Sequence, residues 1–279
     1  MKLIHLSIAA TLLSIASISC KKATTDEKTT ISTNVSRKNI PLIRTLSIPE
    51  LNGTGQVFYN ADSTIKQINY AGSNHYSSVY SYLPNRAVSE INIGPDIFKI
   101  NYTYNNLGQL ITMTKGVHSG PGYATQVKLD YTYFTNGTLA TIKYYLFNGA
   151  TATLVYTTSY EYDTQDRPTK IVSVDKDGDK IIKTIEGYSS EIKFDPIFFM
   201  VADFDENYTF YNYPVLSKIY CLPTRIVESR VTNNAAPVIA KTTTYTYTIT
   251  DGKLEKSEYA LQFTAFPQYN TSSQNLYTY

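Results

Sequence analysis

The chain has 279 residues, with 25 Lys+Arg against 23 Asp+Glu, so its formal charge is 25 − 23 = +2. That balance excludes an electrostatically driven nucleic-acid binder, and 42% hydrophobic residues exclude disorder of the whole chain. The 26 tyrosines stand beside a complete absence of tryptophan, 3 methionines and 2 cysteines.

Residues 1–19 carry one positive charge at Lys2 and then a mostly apolar run from Leu3 to Ile18. Sixteen residues fall short of the roughly 20 that span a bilayer as a helix, and small residues follow, so the segment reads as an export signal. Its ending, Ser17-Ile18-Ser19-Cys20, resembles the lipobox of bacterial lipoproteins. That resemblance implies cleavage before Cys20, lipidation of its sulfur and a membrane partner reached through the N-terminal lipid. Lys21 follows where some lipoproteins carry an Asp that holds them in the inner membrane. The resemblance therefore implies the outer membrane, with the periplasmic or cell-surface face left open. With Cys20 consumed, Cys221 is expected to be a buried, inert thiol with no disulfide.

Residues 20–40 hold the lipidated Cys and a Thr-, Ser- and Lys-rich stretch without apolar period, which reads as a flexible tether. Its coil reach is on the order of 25 Å. Residues 41–279 read as a single repeat-built β domain. The strings YTYNNLGQLITM (102–113), YTYFTNGTLATI (131–142), YEYDTQDRPTKI (160–171) and YTYTITDGKLEK (245–256) align, and Tyr104, Tyr133 and Tyr162 are 29 residues apart twice over. Weaker copies at 58–68 and 80–91, with Tyr188 and Tyr220 near intermediate places, give seven or eight units.

Each unit predicts a β-hairpin. Tyr-x-Tyr alternating with Thr or Glu is strand sequence with both rings on one face. The polar tetrads that follow, such as NNLG and FTNG, reverse the chain. The return strand carries an apolar pair three apart, Leu110/Met113 or Leu139/Ile142, which a regular strand would point to opposite faces unless a bulge intervenes. Tandem hairpins that cannot bury a face alone must join edge to edge. The predicted fold is all-β: one long curved antiparallel sheet of about fourteen strands, in a rolled or half-barrel form. The apolar stretch 194–216, with Ile197 to Val201 in a row, breaks the pattern and reads as a plug or cap.

The Tyr-Asp pattern, best seen at Tyr162-Asp163-Thr164-Gln165-Asp166-Arg167-Pro168, is similar to YD (RHS-type) repeats. Together with the lipobox and LPTRI at 222–226, the arrangement resembles Bacteroidetes envelope lipoproteins carrying a porin-like-fold domain of unknown function. Asn105, Phe134 and Thr248 replace Asp163 in other copies, and the resemblance implies no catalytic residues.

Chemistry-bearing patterns are sparse. Asp175, Asp177 and Asp179 occupy positions 1, 3 and 5 of a calcium-loop template and Glu186 position 12, but Lys180 stands where the template needs Gly. A hairpin turn with solvated acids is the expectation there, with Ca²⁺ as the weaker alternative, and no cofactor is expected. Asp195, Asp203, Asp205 and Glu206 could supply paired carboxylates to a glycan hydrolase, though no Trp is present for sugar stacking. His75 and His118 lie in polar loops without metal-ligand spacing. The C-terminal NLYTY has the alternation of membrane-barrel strands, yet Thr, Lys and Glu lie outside the Tyr face, where lipid contact would need an apolar band.

The sequence therefore reads as a non-enzymatic outer-membrane lipoprotein, a binding or scaffolding module. Tyr104, Tyr133, Tyr162 and Tyr247 are the candidate ligand contacts, and a glycan, a peptide or an envelope protein the expected partner. The alternatives are a subunit of an outer-membrane complex and an envelope glycan hydrolase.

Overall fold

The computed structural model describes residues 41–48, 53–72, 76–94, 97–120, 122–193 and 221–279. The signal segment, Cys20, the tether, His75 and the stretch 194–216 lie outside the described residues. Sixteen strands run in chain order: β1 (Thr45–Ile48), β2 (Gly53–Tyr59), β3 (Ile65–Gly72), β4 (Tyr76–Tyr82), β5 (Val88–Ile93), β6 (Phe98–Tyr104), β7 (Leu110–Ser119), β8 (Gly122–Tyr133), β9 (Leu139–Asn148), β10 (Thr151–Tyr162), β11 (Pro168–Asp175), β12 (Lys180–Ile185), β13 (Arg225–Val231), β14 (Val238–Thr250), β15 (Lys253–Phe263) and β16 (Thr271–Thr278). A 3₁₀ turn at Pro267–Tyr269 is the one helical element among the described residues.

Every strand pairs antiparallel with its sequence neighbours, and β1 pairs with β16, so the sheet closes into a barrel. Closure goes beyond the rolled or half-barrel expected, and sixteen strands replace about fourteen. The reason lies in the repeat. Leu46 stands opposite Tyr277, and the Arg44 N–H donates to the Thr278 carbonyl at 2.7 Å. The chain's first and last described strands thus make one more unit of the same kind. Each exposed edge finds the partner that an open sheet would lack.

The hairpin tips follow from local chemistry. In the unit beginning at Tyr104, Asn105 Oδ1 accepts from the Leu107 and Gln109 N–H groups at 3.0 and 2.9 Å, and Gly108 takes φ +72°. Asp163 repeats the turn, accepting from Gln165 and Arg167 at 2.8 and 3.0 Å. Burial works to raise the Asp163 carboxyl, but hydrogen bonds from Arg167 and Gln165 hold it below its ordinary value. Asn and Asp satisfy the tip equally well as acceptors, which is why the Asp of the Tyr-Asp pattern is replaceable.

The spacing of three on the return strand is resolved by a bulge. Tyr104 faces Leu110 while Thr103 faces Thr112, so the register steps past Ile111. The same step passes Lys66, Ser89, Ala140 and Thr169 in the equivalent units. One unpaired residue restores the parity, and both apolar residues of the pair point inward. Leu110 and Met113, like Leu139 and Ile142, are accordingly buried in the core.

The unit from Tyr188 departs from the pattern: Tyr188 bridges Pro223, so residues 189–222 stand where other units have a five-residue tip. Pro223 and Ile226 take the places of Leu139 and Ile142. Cys221 corrects an expectation, since it is buried and disulfide-bonded where an unpartnered thiol was anticipated.

The outer wall is polar. Lys99–Glu90 at 3.2 Å, Lys128–Asp130 at 2.9 Å, Lys170–Glu161 at 2.9 Å and Lys256–Glu258 at 3.0 Å lie on strand positions that alternate with the core residues. Such exposed pairs add little stability, but on a lipid-facing wall each charge near mid-bilayer would cost about 2–4 kcal/mol. Charged pairs thus stand on the outside of a barrel whose aliphatic and tyrosine core lies within.

Ile142 has no exposed surface. Its replacement by Ala is expected to cost about 2–5 kcal/mol, read as a lowered urea midpoint at unchanged m-value. Ala at the neighbouring outward residue Thr141 should change stability by about 0.5 kcal/mol or less.

Candidate functional site

Tyrosines define one end of the barrel. Each second tyrosine of Tyr-x-Tyr, with Tyr59 and Tyr188 at the equivalent places, reaches back over the preceding hairpin and donates its hydroxyl to the carbonyl of that hairpin's first inward aliphatic residue or proline. The bonds are Tyr82 to Ile65 (2.8 Å), Tyr104 to Val88 (2.7 Å), Tyr133 to Leu110 (2.8 Å), Tyr162 to Leu139 (2.8 Å) and Tyr188 to Pro168. Tyr247 to Pro223 (2.5 Å), Tyr279 to Leu254 (2.8 Å) and Tyr59 to Ile43 (2.9 Å) complete a ring of eight. The sequence candidates Tyr104, Tyr133, Tyr162 and Tyr247 are four equivalent members of this rim. Their rings are half-buried against the core, and each hydroxyl is engaged by backbone.

Burial pushes the hydroxyls of Tyr104, Tyr133, Tyr162, Tyr188 and Tyr247 well above the ordinary tyrosine range, and neighbouring tyrosines or acids add to the shift in four of them. Tyr279 is pushed up to about 12, again by burial first.

Deeper in the barrel the wall changes character. The second inward residue of each return strand stands opposite one residue of the next strand, and these eight residues form a ring at one level. They are Gly55, Ser78, Ile100, Leu129, Thr158, Lys183, Thr243 and Asn275. All are buried. On β6 and β8 the ring is aliphatic; from β10 to β16 it is polar and includes a lysine 3% exposed. Thr158 and Ser173 share a hydrogen bond of 2.8 Å. Lys183 is paired in register with Glu228, also 3% exposed, and Glu228 with Lys241. Lys241 Nζ lies 3.2 Å from Glu228 Oε2, and Arg230 Nη2 3.4 Å from Oε1.

One step further from the rim, Tyr144 and Tyr156 stack at 4.7 Å with an interplanar angle of 3°. Lys115 Nζ lies 4.4 Å from the centre of the Phe98 ring, and burial holds this ammonium below the ordinary lysine value. The interior thus offers aromatic faces and one lysine between β6 and β10, and a cluster of charges on β12, β13 and β14. A buried ion pair stabilises no better than well-packed apolar residues, and Ile100 and Leu129 demonstrate that the ring accepts them.

The calcium-template acids do not converge. Asp175 Oδ1 accepts from the Asp177 and Asp179 N–H groups in the tip between β11 and β12, Asp177 pairs with Lys176, and Asp179 Oδ1 accepts from the Asn233 N–H. Glu186 stands at the far end of β12, paired with Arg225. Among the described residues no group of three His, Cys, Asp or Glu could hold a metal ion. His118 faces outward and meets the edge of Tyr123 at 5.6 Å. The acids Asp195, Asp203, Asp205 and Glu206 lie outside the described residues.

The sequence reading passed over Lys183, Glu228 and Lys241. A usable signal was present: counting back by twos from the inward Tyr245 gives Thr243 and Lys241, and from the inward Ile185 gives Lys183.

Among solved structures, the chain is similar to a porin-like protein from Bacteroides vulgatus ATCC 8482, with a TM-score of 0.56 and 12% identity over 86% of this chain and 99% of that one. It is also similar to a porin-like protein from Bacteroides uniformis ATCC 8492, with a TM-score of 0.53 and 18% identity over 81% of this chain and 89% of that one. At these identities the likeness is one of fold: the chain has the fold of these porin-like proteins. No family model matches the chain, and no curated protein matches it.

Because the rim hydroxyls hold their protons above the value of 10.0 that tyrosine has in an unfolded chain, their contribution to stability is complete below that pH and declines as the pH climbs through about 12. Alkaline titration should therefore show tyrosinate absorbance rising together with loss of β-sheet circular dichroism. Tyr133→Phe should cost about 1 kcal/mol at neutral pH, because the Leu110 carbonyl loses its donor.

Proposed function

We propose that this chain is a non-enzymatic binding or scaffolding module held at the bacterial outer membrane by a lipid on Cys20. The polar outer wall carries this reading, since such a barrel sits in water and needs a tether to remain at a membrane. The Ser17-Ile18-Ser19-Cys20 sequence supports the tether, and the likeness to porin-like folds from Bacteroides supports the envelope setting. Kinship with lipoproteins built of YD-type repeats belongs to the same proposal, supported by eight structurally equivalent hairpin units.

Recognition falls to the barrel ends and interior. Tyr104, Tyr133, Tyr162 and Tyr247 keep the rim in shape and offer half-exposed ring edges to a glycan or peptide. A second reading, a subunit docked in an outer-membrane complex, is favoured by apolar side chains at the opposite end. Val238, Ile239, Phe266 and Tyr269 are 66%, 49%, 55% and 65% exposed, more than an isolated soluble body needs.

Palmitate labelling of the expressed chain should mark the wild type and not Cys20→Ser. Cys20 and Cys221 are the chain's two cysteines, so a lipid thioether on Cys20 requires the Cys221 disulfide to be absent from the mature protein, and the intact mass of the membrane-extracted protein reads which of the two states holds. A glycan and peptide array probed with that protein should give specific signals. A blank array, with no protein co-purifying after mild detergent extraction, would remove both readings.

A further inference from the structure

We propose that the polar half of the interior ring, centred on Lys183, binds a small ligand through an oxyanion group, a carboxylate, sulfate or phosphate. The inference deepens the reading of this chain as a binding module and rests on it. Three buried polar groups carry it. Lys183, 3% exposed, stands in register with the buried Glu228. Ser78 Oγ and Asn275 Oδ1, in residues 0% and 1% exposed, have no hydrogen-bond partner among the described residues. All three occupy the one ring, Lys183 and Asn275 in its polar half and Ser78 four units from Lys183 across it, at positions that Ile100 and Leu129 fill elsewhere. A fold that tolerates aliphatic residues at these places has no internal reason to bear the desolvation of a lysine and two unpaired polar atoms.

The sign of the charge selects the ligand. Glu228 is already matched by Lys241 at 3.2 Å and Arg230 at 3.4 Å, so Lys183 is the positive charge left over beside it. An oxyanion on Lys183 would receive a charge-assisted hydrogen bond in a water-poor setting, where such bonds are strongest. The Asn275 side chain, two units further round the ring, can meet a second polar group of the same ligand. Arg230, whose side chain is 64% exposed, brings this polar wall to solvent.

The test uses the full-length lipoprotein in detergent, titrated with sodium phosphate, sodium sulfate and sodium galacturonate against sodium chloride at equal ionic strength. Thermal melting and calorimetry are the readouts. At least one oxyanion should raise Tm saturably, and its identity separates free inorganic anions from acidic sugars. Lys183→Met should weaken binding at least about tenfold, the effect of one lost charge-assisted hydrogen bond, while Lys143→Gln on the outer wall should leave it unchanged. Should Lys183→Met fail to fold, protection of Lys183 from reductive methylation by the bound anion in the wild type decides the matter. No saturable effect of any of the three anions, or equal affinity in Lys183→Met, overturns the proposal. A positive glycan or peptide array without an anion effect overturns this inference alone and leaves the wider reading standing.

Discussion

A phenol hydroxyl bonded to a backbone carbonyl one hairpin away is the interaction on which this barrel is built. Within a hairpin the tip and the ladder hold two strands together; between hairpins the rim tyrosine does so from above, spanning 16 to 25 residues of sequence at the closest-sized units. The hydroxyl reaches its carbonyl only because the register steps past one residue of each return strand, which turns the tyrosine and the aliphatic pair toward the same side. Bulge and hydroxyl are thus one device. Remove the bulge and Met113 or Ile142 would face water; remove the hydroxyl and a buried carbonyl loses its partner.

Repetition of that device explains closure. Tyr279 donates to Leu254 and Tyr59 to Ile43 with the same geometry as the internal units. The β1–β16 seam is therefore no weaker in kind than any other joint, and a single aliphatic cluster runs around the inside. Polarity follows from the same parity: what alternates with the core faces out, and those positions are mainly Thr, Ser, Lys, Glu, Gln and Asn, with Phe58, Val79 and Leu276 among them. The fold shared with porin-like proteins is here carried by a sequence whose wall suits water.

The interior supplies the functional asymmetry. Two of the eight ring residues beneath the tyrosines are aliphatic, one is glycine and five are polar, although register is equivalent all round. A purely structural requirement would act on all eight positions alike. Residues that differ at equivalent positions report a local demand, and the charges gathered on β12, β13 and β14 place that demand on one wall. Tyrosine shapes the rim, and the charges lie beneath it on β12, β13 and β14.

Sequence alone determined the hairpin unit, its tyrosine alternation, the tip chemistry at Asn105 and Asp163 and the all-β class, because each is a short-range property of strand period and turn preference. It also separated the export-signal-like start from the folded body, by the composition of residues 1–40. Tertiary structure decided the rest. Whether Leu110 and Met113 share a face depended on a bulge that only cross-strand pairing reveals. Whether the sheet closes depended on β1 meeting β16 across the whole chain. Whether Tyr104 or Tyr162 is a contact or a lock depended on where its hydroxyl ends, a backbone carbonyl more than twenty residues away for Tyr162 and sixteen for Tyr104. Lys183, Glu228 and Lys241 are ordinary strand charges in sequence; they become a site because lateral register, which no single strand encodes, sets them side by side inside a closed wall.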